Sequence, residues 1–293
     1  MTPTLVRQHV SHAGSAARVD RCARARDWSE IQERMLVPLF DTVYDRLEVG
    51  PATRLLGLRC GSGLALLMAA ARGAAVTGTD PVSPERLALA RERLLPDARP
   101  GAGGARRGPR AGTAPVLLDG PPADAAGPGT APYTLVTVFE PIGSVAGDSE
   151  GLGELLAGAL ALAARGTTVV LAGWGPPERC ATSGVLRVAT RLADPLRSAR
   201  SWRPARRDDL EEVAGRAGLK PDGSGRVSCP FGYADTDSAV RGLLSTGLFD
   251  AAIAATDAKQ VDKELTEALH RHRRPDGTVW MPNVFRYLIA RVP

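Results

Sequence analysis

The chain has 293 residues, 44% of them hydrophobic, and a formal charge of +5 from 37 Lys and Arg against 32 Asp and Glu. That is ample apolar material for one α/β core with insertions. There is no apolar run of about 18 residues, which excludes a predicted transmembrane span, and no apolar signal-peptide core, so a cytoplasmic address is expected. Lys220, Lys259 and Lys263 are the only lysines, while Arg, Ala, Gly and Pro are abundant along the whole length. A skew that general reads as genome composition, so a solvated surface is expected in preference to nucleic-acid binding. Cys22, Cys60, Cys180 and Cys229 are widely spaced with no C-x-x-C pair, and the four histidines lie near the termini, which argues against zinc or a disulfide framework.

Residues 1–26 are polar and arginine-rich, with Arg18, Arg21, Arg24 and Arg26. They are expected either to be flexible or to form a helix over a ligand cleft. A domain over 27–293 follows. Asp27-Trp28-Ser29-Glu30-Ile31 leads into Leu36, Val37, Phe40, Val43, Tyr44 and Leu47, spaced as one apolar face of a helix that stops before Val49-Gly50-Pro51. Arg54-Leu55-Leu56-Gly57-Leu58 then reads as a strand and Arg59-Cys60-Gly61-Ser62-Gly63 as a glycine turn. Leu64 to Leu67 open a helix, and Val76-Thr77-Gly78-Thr79-Asp80 is a second strand tipped by a carboxylate. Strand, glycine turn, helix, strand and acid in this order form a nucleoside site, where the backbone comes close to a ligand and the acid accepts from ribose hydroxyls.

Further along, Val116-Leu117-Leu118-Asp119 reads as a third strand and Tyr133 to Glu140 as a fourth, set in a Gly/Pro/Ala-rich insertion near 96–132 whose first loop, 101–115, is expected to be flexible. Thr167 to Ala172 is a buried strand ending in Gly173-Trp174-Gly175-Pro176-Pro177-Glu178. Arg207 to Ala217 is a helix stopped by Gly218, residues 235–270 are helical, and Asn283 to Ala290 is a closing strand. No internal repeat is present.

Gly57 to Gly63 resembles the first motif of class I S-adenosylmethionine (SAM) methyltransferases, and Gly173 to Glu178 resembles the fifth-strand ending of their quinone and small-molecule branch. The likeness extends over roughly 27–291. It implies a Rossmann-like α/β fold with a seven-stranded mixed sheet and helices on both faces. It also implies SAM as cofactor, a small-molecule acceptor, no membrane, and a homodimer as an open assembly. Two positions depart from the motif: the family's acid is Gly57 here, and its first glycine is Arg59. A tight ε-type backbone does not accept Arg59, whereas an ordinary β conformation does. Its guanidinium then either grips the methionine carboxylate of SAM or fills that place and leaves a pocket for another anion.

The resemblance gives Arg59, Cys60, Gly61, Ser62, Gly63, Asp80 and Asp119 as cofactor-binding candidates, Trp28, Phe139 and Trp174 as acceptor-pocket candidates, and Glu140 as the only nearby carboxylate to nominate for catalysis. Each has a structural alternative. The glycines make a plain turn, Asp80 caps the helix near Ser83-Pro84-Glu85, Asp119 starts a loop, and the aromatic residues belong to the core. Lack of a clear general base does not argue against activity, because the sulfonium of SAM is already activated and catalysis is mostly alignment. The two functions that follow are SAM-dependent methylation of a small molecule, and an inactive methyltransferase-like protein that binds a ligand or partner. Nicotinamide or nucleotide-sugar chemistry is disfavoured, since G-x-G-x-x-G spacing fails at Leu66.

Overall fold

A computed structural model of the chain describes residues 20–95, 114–127, 131–144, 147–193 and 209–293. The first 19 residues, most of the expected flexible loop and 128–130 lie outside them.

The strands are β1 (Arg54–Leu58), β2 (Ala75–Thr79), β3 (Val116–Leu118), β4 (Tyr133–Ile142), β5 (Ala163–Trp174), β6 (Lys220–Ser228), β7 (Phe231–Tyr233), β8 (Val279–Met281) and β9 (Val284–Arg291). Seven make one sheet in the order β3-β2-β1-β4-β5-β9-β6, and β7 pairs with β8 in a separate ribbon. Strands β1 to β5 run parallel, while β9 is antiparallel to both β5 and β6. Chain order reverses on either side of β1, which opens a crevice at the carboxyl ends of β1 and β4, the place where open α/β sheets bind ligands.

The central strands β1 and β4, the second half of β5 and β9 are rich in buried apolar residues because both sheet faces are covered there, whereas the edge strand β6 is polar and largely exposed. On one face Leu56, Leu58, Val136, Val138 and Leu171 pack on α5 (Leu152–Leu160) and α7 (Asp209–Arg216). On the other, Leu55, Val76, Leu135 and Val170 meet α2 (Val37–Arg46), α3 (Leu64–Ala71) and α6 (Thr182–Ala193). Neighbours such as Leu55 and Leu56 point to opposite faces, as the strand period requires. Helix α7 ends as its sequence predicts, with Gly218 at φ 73° and the N–H of Leu219 returning to Ala214 O at 2.9 Å.

The N-terminal part is built in four pieces. Helix α1 (Arg21–Asp27) is capped by Asp20, whose side chain accepts from the N–H groups of Cys22 and Ala23. A π turn (Trp28–Gln32) and a 3-10 turn (Glu33–Leu36) then lead into α2. The apolar stripe expected for this segment is buried through Leu36, Phe40, Val43 and Tyr44. Helix α1 lies against α4 (Pro84–Leu94) and α8 (Thr236–Ser245), and α9 (Asp250–Ala255) and α10 (Ala258–Leu269) complete the helical region over the C-terminal strands. A Cβ on Gly242 of α8 would stand 2.9 Å from Ile31 and from Tyr233, so glycine lets α8 press on the π turn. No described helix is long and apolar enough to cross a membrane.

Candidate functional site

The glycine turn after β1 has the backbone its composition demands. Gly61 and Gly63 sit at φ 58° and 77°, in the left-handed region, and a Cβ on Gly63 would stand 2.9 Å from that of Ala90. Arg59 takes neither of the two backbones weighed for it, ε or β, because its φ is 48°. The conformation is held by the side chain: one terminal nitrogen donates to Asp148 O at 2.8 Å, the other donates to Glu150 O, and Glu140 lies 3.5 Å away. Such over-determination is what a non-glycine residue in this region requires. The guanidinium is therefore tied to the 147–150 turn.

Packing explains Gly57. A Cβ there would lie 2.9 Å from Leu66 Cδ2, and one on Gly78 of β2 only 2.4 Å from Leu66 Cδ1. Leu66 thus wedges between two bare strand positions and brings α3 down onto the sheet where the motif's acid would otherwise project.

The carboxylate that serves the glycine turn comes instead from the N-terminal segment. Glu33, 4% exposed, accepts the N–H of Ser62 at 3.1 Å, that of Leu64 at 3.4 Å and the Ser62 hydroxyl. A carboxylate on the first amides of a helix is favoured by the helix dipole. Arg93 of α4 pairs with Glu33 at 2.7 Å and also donates to Ser62 O and Ser29 Oγ. Beside them Trp28 covers Gly61, with its Nε1 3.1 Å from where a Cβ on that glycine would be.

Asp80 is held at the tip of β2 by two backbone amides, and the cap of α4 weighed for it falls to Ser83. Its Oδ2 accepts the N–H of Gly61 at 3.1 Å and its Oδ1 that of Ser83 at 3.3 Å, while Ser83 itself caps α4 through the Arg86 N–H. Burial, and then the negative charge of Glu140, push its carboxyl up to about 6, against the opposing pull of Arg86. Arg86 lies over the Trp28 ring at 4.0 Å, donates to Ser245 O at 2.8 Å and stands 3.7 Å from Glu140. Glu140, nominated as a catalytic carboxylate, is accordingly flanked by two guanidinium groups.

These side chains line a cleft of about 700 Å³. Trp28, Arg59, Asp80, Arg86 and Glu140 form one end, and Trp174, Phe231 and Phe285 an aromatic floor. Trp174 and Phe285 pack with ring centroids 4.6 Å apart. Val82 stands 74% exposed on the rim beside Asp80. A second cavity of about 30 Å³ adjoins it between the glycine turn and β4, walled by Trp28, Arg59, Arg86, Glu140 and Phe139 among others. Phe139 is otherwise a core residue, its ring 4.9 Å from Phe40 and 5.5 Å from Tyr44. Cys60 is partly buried with its sulfur against Gly78, and burial pushes the thiol far above its usual range. Asp119 is not brought to the cleft: its exposed carboxylate pairs with Arg91 at 2.7 Å. Among the described residues no cluster of His, Cys, Asp and Glu is arranged to hold a metal ion.

Glu33, Arg86 and Arg93 were not among the candidates read from the sequence. The available signal was weak: Glu33 lies five residues after Trp28 in a segment otherwise legible only by its apolar stripe.

Strand order, the reversed last strand and the glycine turn at the switch point define the class I methyltransferase fold. A methyltransferase candidate from Bacillus halodurans C-125 superposes with a TM-score of 0.50 over 87% of this chain and 98% of its own, at 14% identity. The YcgJ protein of Bacillus subtilis gives 0.50 over 86% and 97%, at 12% identity. Magnesium protoporphyrin IX methyltransferase of Synechocystis PCC 6803, solved with bound S-adenosylhomocysteine, gives 0.48 over 87% and 82%, at 16%. No family profile and no curated protein matches the chain.

SAM, the cofactor that the sequence resemblance implies, would meet different surroundings at its two ends. The nucleoside end, placed as the resemblance implies, would meet a buried acid, Asp80, and an exposed apolar side chain, Val82, on the rim of the large cleft. The methionyl end would have to cross the face of Gly61, where Trp28 lies, and enter a space of about 30 Å³. The residues present do not fit the whole cofactor.

Proposed function

We propose that the protein is a methyltransferase-fold binding protein that holds a small organic molecule in the 700 Å³ cleft and does not use SAM. The observation that carries this reading is the occupation of the glycine turn by the protein's own groups: Glu33 takes the amides of Ser62 and Leu64, and Trp28 covers Gly61. Arg59, in place of a small residue, is anchored to the carbonyls of 148 and 150. The cleft retains what binding needs, an apolar aromatic floor and a few convergent polar groups.

A second reading is SAM-dependent methylation of a small molecule after the Trp28–Glu33 segment moves off the turn. It is favoured by one observation, the position of Asp80 and Val82 side by side on the cleft. Thermal unfolding in the presence of added ligands separates the two, because a compound that binds only the folded protein raises its Tm. The binding-protein reading expects no shift with SAM or S-adenosylhomocysteine and a rise with members of a library of small organic compounds. A concentration-dependent rise with SAM overturns it.

A further inference from the structure

The charge on the walls of the large cleft runs against the composition of the chain. The protein carries +5 overall, yet the carboxylates of Asp80, Glu140, Asp148, Glu150 and Asp250 line this cleft against only the guanidinium groups of Arg59 and Arg86 among the described residues. Those guanidinium groups are withdrawn and occupied. Their side chains are 10% and 12% exposed, and they donate to the backbone carbonyls of Asp148, Glu150 and Ser245. The carboxylates are open by comparison: the side chain of Glu140 is 34% exposed, that of Asp250 is 54% exposed, and Glu150 is an exposed residue. Arg24, which does not line the cleft, pairs with Asp250 at 2.9 Å, and even with it the acids outnumber the bases. Asp80 registers the same excess, since after burial it is the charge of Glu140 that raises its carboxyl. A cleft of one sign between low-dielectric walls focuses its field and concentrates ions of the opposite sign. Much of the remaining wall is apolar. Trp174 keeps part of its surface open, and Phe231 and Phe285 back it from the core. Open carboxylates around an aromatic surface favour an organic cation.

We propose that the cleft's ligand is an organic cation: a protonated or quaternary amine on an apolar body, held by the net negative charge of these walls, with the apolar body against Trp174. The inference deepens the binding-protein reading and rests on it for the source of the cation, since the sulfonium of SAM is the other source of this chemistry.

Three compounds that share a ring and differ in charge, phenethylammonium, 2-phenylethanol and phenylacetate, are titrated into the ¹⁵N-labelled protein, and SAM is titrated separately. The indole N–H resonance of Trp174 is assigned by its disappearance in Trp174→Phe. Phenethylammonium is expected to shift that resonance saturably and to bind roughly tenfold tighter than the alcohol, with the acid weakest and the preference shrinking as ionic strength rises. Glu150→Gln and Asp250→Asn, which remove one open negative charge each and keep the shape of the side chain, are expected to weaken phenethylammonium binding roughly threefold and to leave the alcohol unaffected. A Trp174 resonance unmoved by phenethylammonium overturns the proposal, and so does binding of the alcohol or the acid as tight as that of the amine. Because the charge series is read on the native protein, poor folding of a variant does not remove the test. Saturable binding of SAM in competition with phenethylammonium upholds the cation site and overturns the binding-protein reading. A silent SAM titration with no preference for the amine does the reverse, so the two fail separately.

Discussion

Glu33 and Ser62, twenty-nine residues apart and on different elements, are joined through both the backbone N–H and the side-chain hydroxyl of the serine. One carboxylate therefore fastens the N-terminal segment to the start of α3 and occupies the amides that give the glycine turn its affinity for anions. Arg93 makes the contact an ion pair buried on the Glu33 side and part-buried on its own.

Removing that carboxylate has a structural cost. Glu33→Ala leaves the Arg93 guanidinium short of its counter-charge and Ser62 without an acceptor, and breaking a buried pair from one side costs about 3–5 kcal/mol. Arg93 keeps its bonds to Ser62 O and Ser29 Oγ, so a loss near about 3 kcal/mol is expected in urea unfolding. Glu33→Gln retains an acceptor for the amides and loses less. Equal losses for the two variants would show that charge is irrelevant to the contact.

Gly61→Ala tests the cover over the turn. The new methyl is strained at φ 58° and stands 3.1 Å from both Trp28 Nε1 and a Glu33 oxygen. The substitution is expected to destabilise by about 1–3 kcal/mol and to speed amide exchange in 28–36 more than in β1. Unchanged exchange in that segment contradicts the packing described.

Asp80 sets a pH dependence. Its carboxyl is raised from 3.8 to about 6, so the fold disfavours the ionised form. The stability it contributes is complete below the unfolded value and is lost as pH rises through about 6. Relative to Asp80→Asn, the native protein should lose roughly 3 kcal/mol between about pH 4 and pH 7. Parallel stability curves for the two proteins would contradict the raised value.

Arg59→Gly relieves the positive φ while cutting the 147–150 turn loose from Asp148 O and Glu150 O. The two effects offset, and a net change within about 1 kcal/mol is expected. Amides of 147–151 should exchange faster. SAM binding should not appear in this variant, because Trp28 and Glu33 remain on the turn.

The fold was legible in the sequence because its signals are local. The β1–α3–β2 unit shows in an apolar run, two glycines and a second run, the α2 face shows in its helical spacing, and Gly218 marks the end of α7. The site was legible only in part. Asp80, Gly61 and Gly63 fall where the motif places them, and Trp28 and Trp174 reach the cleft. Asp119, given by the motif pattern alone, turns outward to Arg91, one of several arginines that the sequence leaves unassigned. Arg59 was recognised as a departure, but its left-handed φ depends on carbonyls about 90 residues away in sequence. The Glu33 and Arg93 pair spans 60 residues and crosses elements, so no spacing rule reaches it.

The most direct test is a calorimetric titration of the native protein with S-adenosylhomocysteine, which carries no transferable methyl and so reports binding alone. With Glu33 and Trp28 on the glycine turn, no saturable heat is expected, and Glu33→Gln paired with Trp28→Ala should be needed before any appears. Saturable one-to-one binding by the native protein would contradict the account and make the cleft a cofactor site.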